Sequence, residues 1–210
     1  MIISPGRGYV FVHIPKTGGT AMTLALEARA RADDILIGDT PKAIKRRRRL
    51  RDAQTVGRLW KHSTLKDVRG LLPDTVLDAL VPVTMVRNPW DRTVSYYHWL
   101  RGQTFDHPAV DAARRLSFAE FVMDDTIGRS LSANTYYSYV AGVCDPIFIR
   151  LEALQTDLEP FEALLGFRIE MPHVNRSDRA AGWRDYYDDE TRARVADISR
   201  ADIEQFGYDF

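Results

Sequence analysis

The stretch HIPKTGGT, residues 13–20, decides how this chain is interpreted. It follows an apolar run at 9–14 whose β-branched and aromatic residues predict a buried strand. It precedes residues 21–28, whose composition predicts a helix. Lysine, glycine and threonine residues therefore lie on a strand-to-helix turn. At such a turn, backbone N–H groups and the helix N-terminus favour a bound phosphate.

The order of residues in this turn differs from the loop that binds nucleoside triphosphates. That loop has a glycine, four further residues and then Gly-Lys-Ser or Gly-Lys-Thr. Here Lys16 precedes the glycines, and Gly-Lys-Ser/Thr occurs nowhere in the chain. A tight turn with a solvated lysine is the alternative interpretation, because glycine-rich turns are common.

A second segment has the same strand-to-helix character. Residues 82–87 predict a buried strand, and NPWD at 88–91 has the asparagine cap, proline and acidic residue typical of a helix start. Arg87 offers a charged fork at the end of the strand, and Ser95 offers a hydroxyl on the second helical turn. These two side chains can bind one anion.

Together the two segments resemble the sulfotransferases that use 3′-phosphoadenosine 5′-phosphosulfate (PAPS). HIPKTGGT is similar to the loop of that family that binds the 5′-phosphosulfate. VRNPWDRTVSYY at 86–97 is similar to its 3′-phosphate segment, including the spacing from Arg87 to Ser95. The similarity is to the carbohydrate (Golgi-type) branch and its bacterial relatives. Looser matches are residues 147–154, 173–177 and 206–210.

The resemblance implies a PAPS site built from both segments, with no metal. Lys16 is expected to be catalytic, because it would meet the negative charge that develops on the leaving bisphosphate. The residues expected to hold PAPS are Lys16, Thr17, Gly18, Gly19, Thr20 and Ala21 for the 5′-phosphate, Arg87 and Ser95 for the 3′-phosphate, and Arg176 and Ser177 as a closing loop.

The acceptor hydroxyl needs a general base, and His62 is the candidate. In the family the base, a Glu or His, lies between the two phosphate motifs, and His62 is the only histidine in that interval. The ordinary pKa of imidazole suits proton transfer near pH 7. The alternative is a histidine at a helix start beside the capping residues Ser63 and Thr64. His13 is interpreted as a strand-end residue that supports the loop.

Residues 42–51, KAIKRRRRLR, form a basic run without a clear family match. A solvated face is the usual interpretation of such a run. The alternative is an electropositive wall for an anionic acceptor, such as an acidic glycan. Nucleic-acid binding is not predicted, because no RNA- or DNA-binding motif accompanies the run and the net charge of the chain is zero.

The composition is that of an ordinary globular protein with 210 residues. Cys144 is the only cysteine, so no intramolecular disulfide can form, which suits a reducing cytoplasm. We expect neither a signal peptide nor a transmembrane span, since the first residues have no basic region and no long apolar run. This predicts a cytoplasmic bacterial enzyme or a shortened relative of the anchored Golgi enzymes.

Strands that alternate with helices predict an α/β, P-loop-like three-layer fold with a mainly parallel central sheet flanked by helices. We expect a single domain, 1–210, with acceptor-facing insertions near 32–60 and 102–145. Further strands are predicted at 35–37 and 146–151. Helices are predicted at 20–31, 64–71, 74–80, 89–101, 108–124, 130–141, 153–165 and 188–206.

The predicted function is in-line transfer of a sulfuryl group from PAPS to a hydroxyl acceptor, expected to be a carbohydrate. One alternative is a P-loop nucleotide kinase or triphosphatase, which needs Gly-Lys-Ser/Thr and an acidic magnesium ligand. The other is a non-catalytic module that binds a nucleotide or a glycan through the same loop.

Overall fold

The computed structural model describes residues 1–143, 145–172 and 182–210. The chain forms two compact units, and each is built from separate segments. The first unit contains residues 1–86 and the described part of 136–172. The second contains residues 87–135 and 182–210.

The first unit is built around a five-stranded sheet with the order β3-β1-β2-β4-β5. Strand β2 pairs in parallel with β4, and β4 pairs in parallel with β5. Strand β1 is antiparallel to both of its neighbours, so the other four strands share one direction. The predicted α/β class with a mainly parallel sheet is confirmed. The strands are β1 (Ile2–Ser4), β2 (Tyr9–Val12), β3 (Ile35–Leu36), β4 (Val81–Val86) and β5 (Ile147–Arg150).

The α-helices are short, and several are separated by single residues. Those of the first unit are α1, α2, α3, α8 and α9, and the others belong to the second. Their bounds are α1 (Gly19–Ala28), α2 (Pro41–Arg46), α3 (Asp74–Leu77), α4 (Pro89–Arg101), α5 (Pro108–Arg115), α6 (Phe118–Met123), α7 (Asp125–Ser132), α8 (Leu154–Asp157), α9 (Glu159–Leu165), α10 (Asp189–Ile198) and α11 (Arg200–Phe206).

The core of the first unit fixes α1 against the sheet. Tyr9 and Phe11 lie on the same face of β2, because side chains alternate along a strand, and both are fully buried. They pack in one cluster with Met22 and Leu26 of α1. The ring of Phe161 from α9 meets the Tyr9 ring edge-on, with centroids 5.1 Å apart. This burial holds the start of α1 at the carboxyl end of β2.

Several helices predicted from the sequence are wrong in position or length. The segment 64–71 forms turns. In place of the helix predicted at 130–141, α7 ends at Ser132 and a short 3₁₀ turn follows at Tyr137–Tyr139. The helices predicted at 108–124, 153–165 and 188–206 are each divided in two. Ser117 explains one division, since its side chain and Glu120 form a capping box that begins α6.

Candidate active site

The turn from β2 to α1 has an unusual backbone. Gly18 caps α1 with a φ of 89°, which a glycine adopts without strain. Lys16 has a φ of 68°, in the left-handed region that residues with a side chain seldom occupy. Such a conformation persists only where the surroundings impose it, and it is common in functional loops. The loop around Lys16 therefore has a defined shape.

Contacts on the inner side of the loop impose that shape. Thr17 is fully buried, and its hydroxyl donates to the backbone oxygen of Ile14 at 3.0 Å. A Cβ atom on Gly18 would lie 3.0 Å from Leu151 Cδ1 and 3.2 Å from Met85 Cε, so the backbone passes close to both side chains. Because the Thr17 hydroxyl is turned inward, its backbone N–H is the group left for a phosphate.

His13 supports the first residue of α1. A Cβ atom on Gly19 would lie 2.3 Å from His13 Cδ2 and 2.7 Å from His13 Nε2, so only a glycine fits under this ring. Burial lowers the pKa of His13 well below its ordinary value, and the neighbouring His62 imidazole, which would repel a second cation, acts in the same direction. The ring is therefore neutral at pH 7.

The start of α1 is suited to an anion. Its first turn contains no acidic residue, and the Thr20 side chain is exposed. The N–H groups of a first helical turn point out of the helix toward its N-terminus, where the helix dipole also favours negative charge. The N–H of Ala21 donates to the backbone oxygen of Gly18 at 3.1 Å, which closes the turn.

His62 is attached to the end of β2. Its Nδ1 lies 2.7 Å from the backbone oxygen of His13. A carbonyl oxygen can only accept, so Nδ1 carries the proton, and in the neutral ring Nε2 keeps its lone pair. The ring meets His13 edge-on at 4.6 Å between centroids and Trp60 at 5.0 Å. These contacts fix both the tautomer and the orientation of the ring.

The environment of His62 changes its pKa. Burial lowers the pKa of His62 to about 4; the nearby Lys61 cation acts in the same direction, and the hydrogen bond to His13 opposes both. The ordinary imidazole pKa expected from the sequence is thus wrong for this position. The consequence is that Nε2 is unprotonated throughout the neutral pH range.

The alternative interpretation of His62 required a helix beginning at Ser63 or Thr64. Ser63 is buried; its hydroxyl accepts from the N–H of Trp60 and donates to the backbone oxygen of Arg58, both at 2.9 Å. Thr64 forms a turn with Asp67: the backbone N–H of Thr64 donates to the Asp67 carboxylate at 2.7 Å. These residues close turns around His62 and begin no helix.

In the second unit, Arg87 is held by Asp91. The Nε and Nη2 atoms of Arg87 lie 2.8 Å and 2.6 Å from Asp91 Oδ2, and both side chains are largely buried. Asn88 caps α4 by accepting from the N–H groups of Trp90 and Asp91. Asp91 was not predicted as the partner of Arg87. The signal for it was an acid in the first turn of α4, four residues after Arg87, because the turn into the helix brings that carboxylate back to the guanidinium.

The predicted site residues fall in both units. The first unit brings together the loop residues 16–21 and, through His13, the side chain of His62. The second contains Arg87 and, buried on α4, Ser95. Arg176 and Ser177 lie outside the described residues. Within the described ranges, no group of three or more His, Cys, Asp or Glu side chains could hold a metal ion.

Hydropathy adds one finding. In the part of the chain that the structure describes, no helix has both the length and the apolar character that crossing a membrane requires.

Comparison with known proteins assigns the chain to a family. The model of the sulfotransferase family matches residues 1–209. No curated protein shows significant similarity to the chain. Among solved structures, mouse sulfotransferase SULT7A1 complexed with PAP is 16% identical, with a TM-score of 0.47. That alignment covers 94% of this chain and 84% of the mouse chain.

Proposed function

The chain belongs to the sulfotransferase family, enzymes that take a sulfuryl group from PAPS, and we propose that it transfers this group to a carbohydrate hydroxyl. The family predicted from the sequence is confirmed by the match over residues 1–209. The observation that carries the proposed chemistry is the hydrogen bond from His62 to His13. It joins a neutral, oriented imidazole to the strand end that leads into the Lys16 loop.

We assign the phosphates of the donor to the two strand-to-helix segments. The backbone N–H groups of residues 16–20 bind the 5′-phosphate side, and Ala21, whose N–H donates to Gly18, holds the turn closed behind them. Arg87, positioned by Asp91, and Ser95 bind the 3′-phosphate. Two supports are the absence of an acidic residue from the first turn of α1 and the fixed guanidinium at the start of α4. The loop role of Arg176 and Ser177 rests on the family resemblance.

When bound, PAPS supplies the sulfuryl group. His62 takes the proton of the acceptor hydroxyl on Nε2 while the acceptor oxygen forms its bond to sulfur. The bond between sulfur and the bridging phosphate oxygen breaks, and 3′-phosphoadenosine 5′-phosphate (PAP) leaves. Lys16 stabilises the negative charge on that bridging oxygen, so no metal is needed. The backbone oxygen of His13 keeps the His62 ring oriented throughout.

We further propose that residues 1–210 act as one sulfotransferase domain, with the segments 32–60 and 102–145 toward the acceptor. The competing function is a P-loop kinase. It is disfavoured because Lys16 precedes the glycines, whereas the triphosphate loop places its lysine after them.

Calorimetry separates these functions. With excess chelator, PAP should bind and ATP should bind at least about tenfold more weakly, because the proposed site recognises a 3′-phosphate and uses no metal. ATP that binds well with Mg²⁺, together with no binding of PAP in chelator, would contradict the proposal. A non-catalytic module would bind PAP but would transfer no labelled sulfate to any member of an acceptor panel.

A further inference from the structure

The residues that follow α11 make specific contacts with the start of α4, within the second unit. Gly207 caps α11 in the left-handed conformation, which turns the chain out of the helix. The chain then passes beside Asn88, whose Nδ2 donates to the backbone oxygen of Asp209 at 2.8 Å. This bond joins residues 121 positions apart in the sequence. It attaches the segment after α11 to the helix that follows Arg87.

The side-chain amide of Asn88 is used at both ends. Its Oδ1 accepts from the backbone N–H groups of Trp90 and Asp91, at 3.1 Å and 3.4 Å. Its nitrogen donates to Asp209, as described above, and the side chain is buried. An amide can accept at oxygen and donate from nitrogen at the same time. Asn88 therefore fixes the first turn of α4 relative to Asp209.

The ring of Phe210 adds an aromatic contact at the same place. It lies edge-on to the rings of Trp90, Trp183 and Tyr187, with centroids 5.6 Å, 5.2 Å and 5.5 Å away. The guanidinium carbon of Arg192 lies 5.3 Å from the Phe210 centroid. Edge-on aromatic pairs and cations close to a ring attract beyond the burial of apolar area. The ring of Phe210 is thus surrounded by residues of the second unit.

Trp90 is the residue of α4 that contacts Phe210, and two hydrogen bonds hold it as well. Its Nε1 donates to the backbone oxygen of Arg192 at 3.0 Å. Its backbone oxygen accepts from the hydroxyl of Tyr187 at 2.8 Å. The Trp90 side chain is buried. The first turn of α4 therefore cannot shift without a loss of these contacts.

This first turn determines the position of Arg87. Asp91 lies in the turn, and its carboxylate holds the guanidinium with 2.6 Å between Oδ2 and Nη2. Contacts thus run from Phe210 and Asp209 through Asn88 and Asp91 to the Arg87 cation. Such support matters because hydrogen bonds are directional, and a binding group displaced by about 1 Å recognises its ligand poorly.

We propose that Phe210 and the hydrogen bond from Asn88 to Asp209 position the 3′-phosphate site: they hold the first turn of α4 so that Arg87 meets the 3′-phosphate of PAPS. The inference rests on the proposed function, which assigns Arg87 to that phosphate. Phe210 acts through α4 and not by contact with the nucleotide. Its effect should therefore be confined to ligands that carry a 3′-phosphate.

Calorimetry with PAP and with adenosine 5′-monophosphate, which has no 3′-phosphate, tests this role. Phe210→Ala should weaken PAP binding by about tenfold, because the cation remains but is less well positioned, with the affinity for adenosine 5′-monophosphate unchanged. Phe105→Ala is the matched control. This aromatic residue lies beyond the other end of α4, where its ring meets Trp99 and His107, so neither affinity should change.

A second variant isolates the hydrogen bond. Asn88→Ser leaves a residue that can cap α4 but has no amide nitrogen to donate to Asp209. It should also weaken PAP binding selectively. A double-mutant cycle then tests the connection to the guanidinium. In an Arg87→Ala background, Phe210→Ala should have little further effect on PAP binding, because the group that it positions is gone.

Failure of this inference can be told from failure of the proposed function. If Arg87→Ala weakens PAP binding selectively but Phe210→Ala and Asn88→Ser do not, the inference is overturned and the role of Arg87 stands. Equal losses for both nucleotides in Phe210→Ala, or additive losses in the cycle, also overturn it. If Phe210→Ala does not fold, Asn88→Ser decides the question. A wild-type protein that does not bind PAP overturns the proposed function instead.

Discussion

The imidazole of His62 donates a hydrogen bond of 2.7 Å to the backbone oxygen of His13, across a chain separation of 49 residues. The acceptor of this bond immediately precedes the loop that carries Lys16. The bond has two effects: it selects the tautomer with an unprotonated Nε2, and it prevents rotation of the ring. General bases depend on both properties, since geometry and protonation state together set the rate of proton transfer.

Removal of the His62 imidazole should therefore abolish most of the turnover. His62→Ala should lower kcat by about 10²–10⁴-fold, the usual contribution of a general base, with the affinity for PAP nearly intact. His107→Ala serves as the control, because that imidazole caps α5 by accepting the N–H of Ala109 at 3.1 Å and meets the Phe105 ring, away from the Lys16 loop in sequence and in the other unit. A His62→Ala protein with wild-type kcat would show that another group takes the proton.

The pH dependence follows from the pKa of His62, which burial lowers to about 4. A base with an ordinary imidazole pKa would lose half of its activity near pH 6.5. Here kcat should stay level between about pH 8 and pH 6, because Nε2 is unprotonated over that range. A decline in kcat centred near pH 6.5, absent from His62→Ala, would mean that the ring is solvated in the working enzyme.

Folding stability should depend on the same group. The folded-state pKa is below the unfolded-state value of about 6.5, so as the pH falls the unfolded chain binds the proton first. The free energy of unfolding should decrease between about pH 6.5 and pH 4, by at most about 3 kcal/mol from His62. Urea unfolding at several pH values tests this. His62→Gln should weaken the dependence, and equal slopes in both proteins would contradict it.

The strand-to-helix segments were predictable because neighbouring residues determine them. Asn88 and Pro89 begin α4 through a cap and a fixed φ angle, and both act within one helical turn. The loop before α1 depends in the same way on Gly18, because glycine is the residue type that adopts a φ of 89° without strain. These are the segments where the sequence analysis and the structure agree best.

The elements and site contacts that were not predicted depend on contacts between segments far apart in the chain. No local sequence pattern contains that information. Residues 64–71 have a helical composition, yet the N–H of Leu65 donates to the backbone oxygen of Tyr139 at 2.9 Å. Val56 donates in the same way to Arg69. Long-range bonds of this kind replace helical ones and override helix propensity. For the same reason, His62 could be proposed as a base from the sequence, but neither the hydrogen bond of His62 to His13 nor the lowered pKa of His62 could be predicted.

Gly19 should be intolerant of any side chain. Gly19→Ala would place a methyl group 2.3 Å from His13 Cδ2, so the ring or the start of α1 must move. We expect a loss of roughly 1–3 kcal/mol of stability, as for overpacking of a core, and weaker binding of PAP. Gly102→Ala is the control, since its nearest contact would be an ordinary 3.6 Å. His13 is itself buried, so the test is a double-mutant cycle: Gly19→Ala should cost much less stability in a His13→Ala background than in the wild-type protein, and additive losses would place the clash elsewhere.

Lys16 should act on turnover more than on binding. Lys16→Ala should lower kcat more than it weakens PAP binding, because the charge it meets develops in the transition state. Because the φ of Lys16 is 68°, a second variant is needed to separate the effect of the side chain from that of backbone strain. Lys16→Gly relieves that strain but also removes the cation, so it too should be slow. If Lys16→Gly retained wild-type kcat, the residue would serve only to shape the loop.

Arg87 should distinguish ligands that differ by one phosphate. Its guanidinium is positioned by Asp91, with 2.6 Å between Nη2 and Oδ2, and we assign it to the 3′-phosphate. Arg87→Ala should weaken PAP binding by roughly 1.5–3 kcal/mol, the range for hydrogen bonds between charged groups. Binding of adenosine 5′-monophosphate, which has no 3′-phosphate, should stay the same.

Asp91→Asn keeps the cation but loosens its position, so the effect of this variant on PAP binding should be smaller. Calorimetry with both nucleotides measures all three variants. Equal losses for both nucleotides in Arg87→Ala would show that Arg87 stabilises the fold of the second unit and does not recognise the 3′-phosphate.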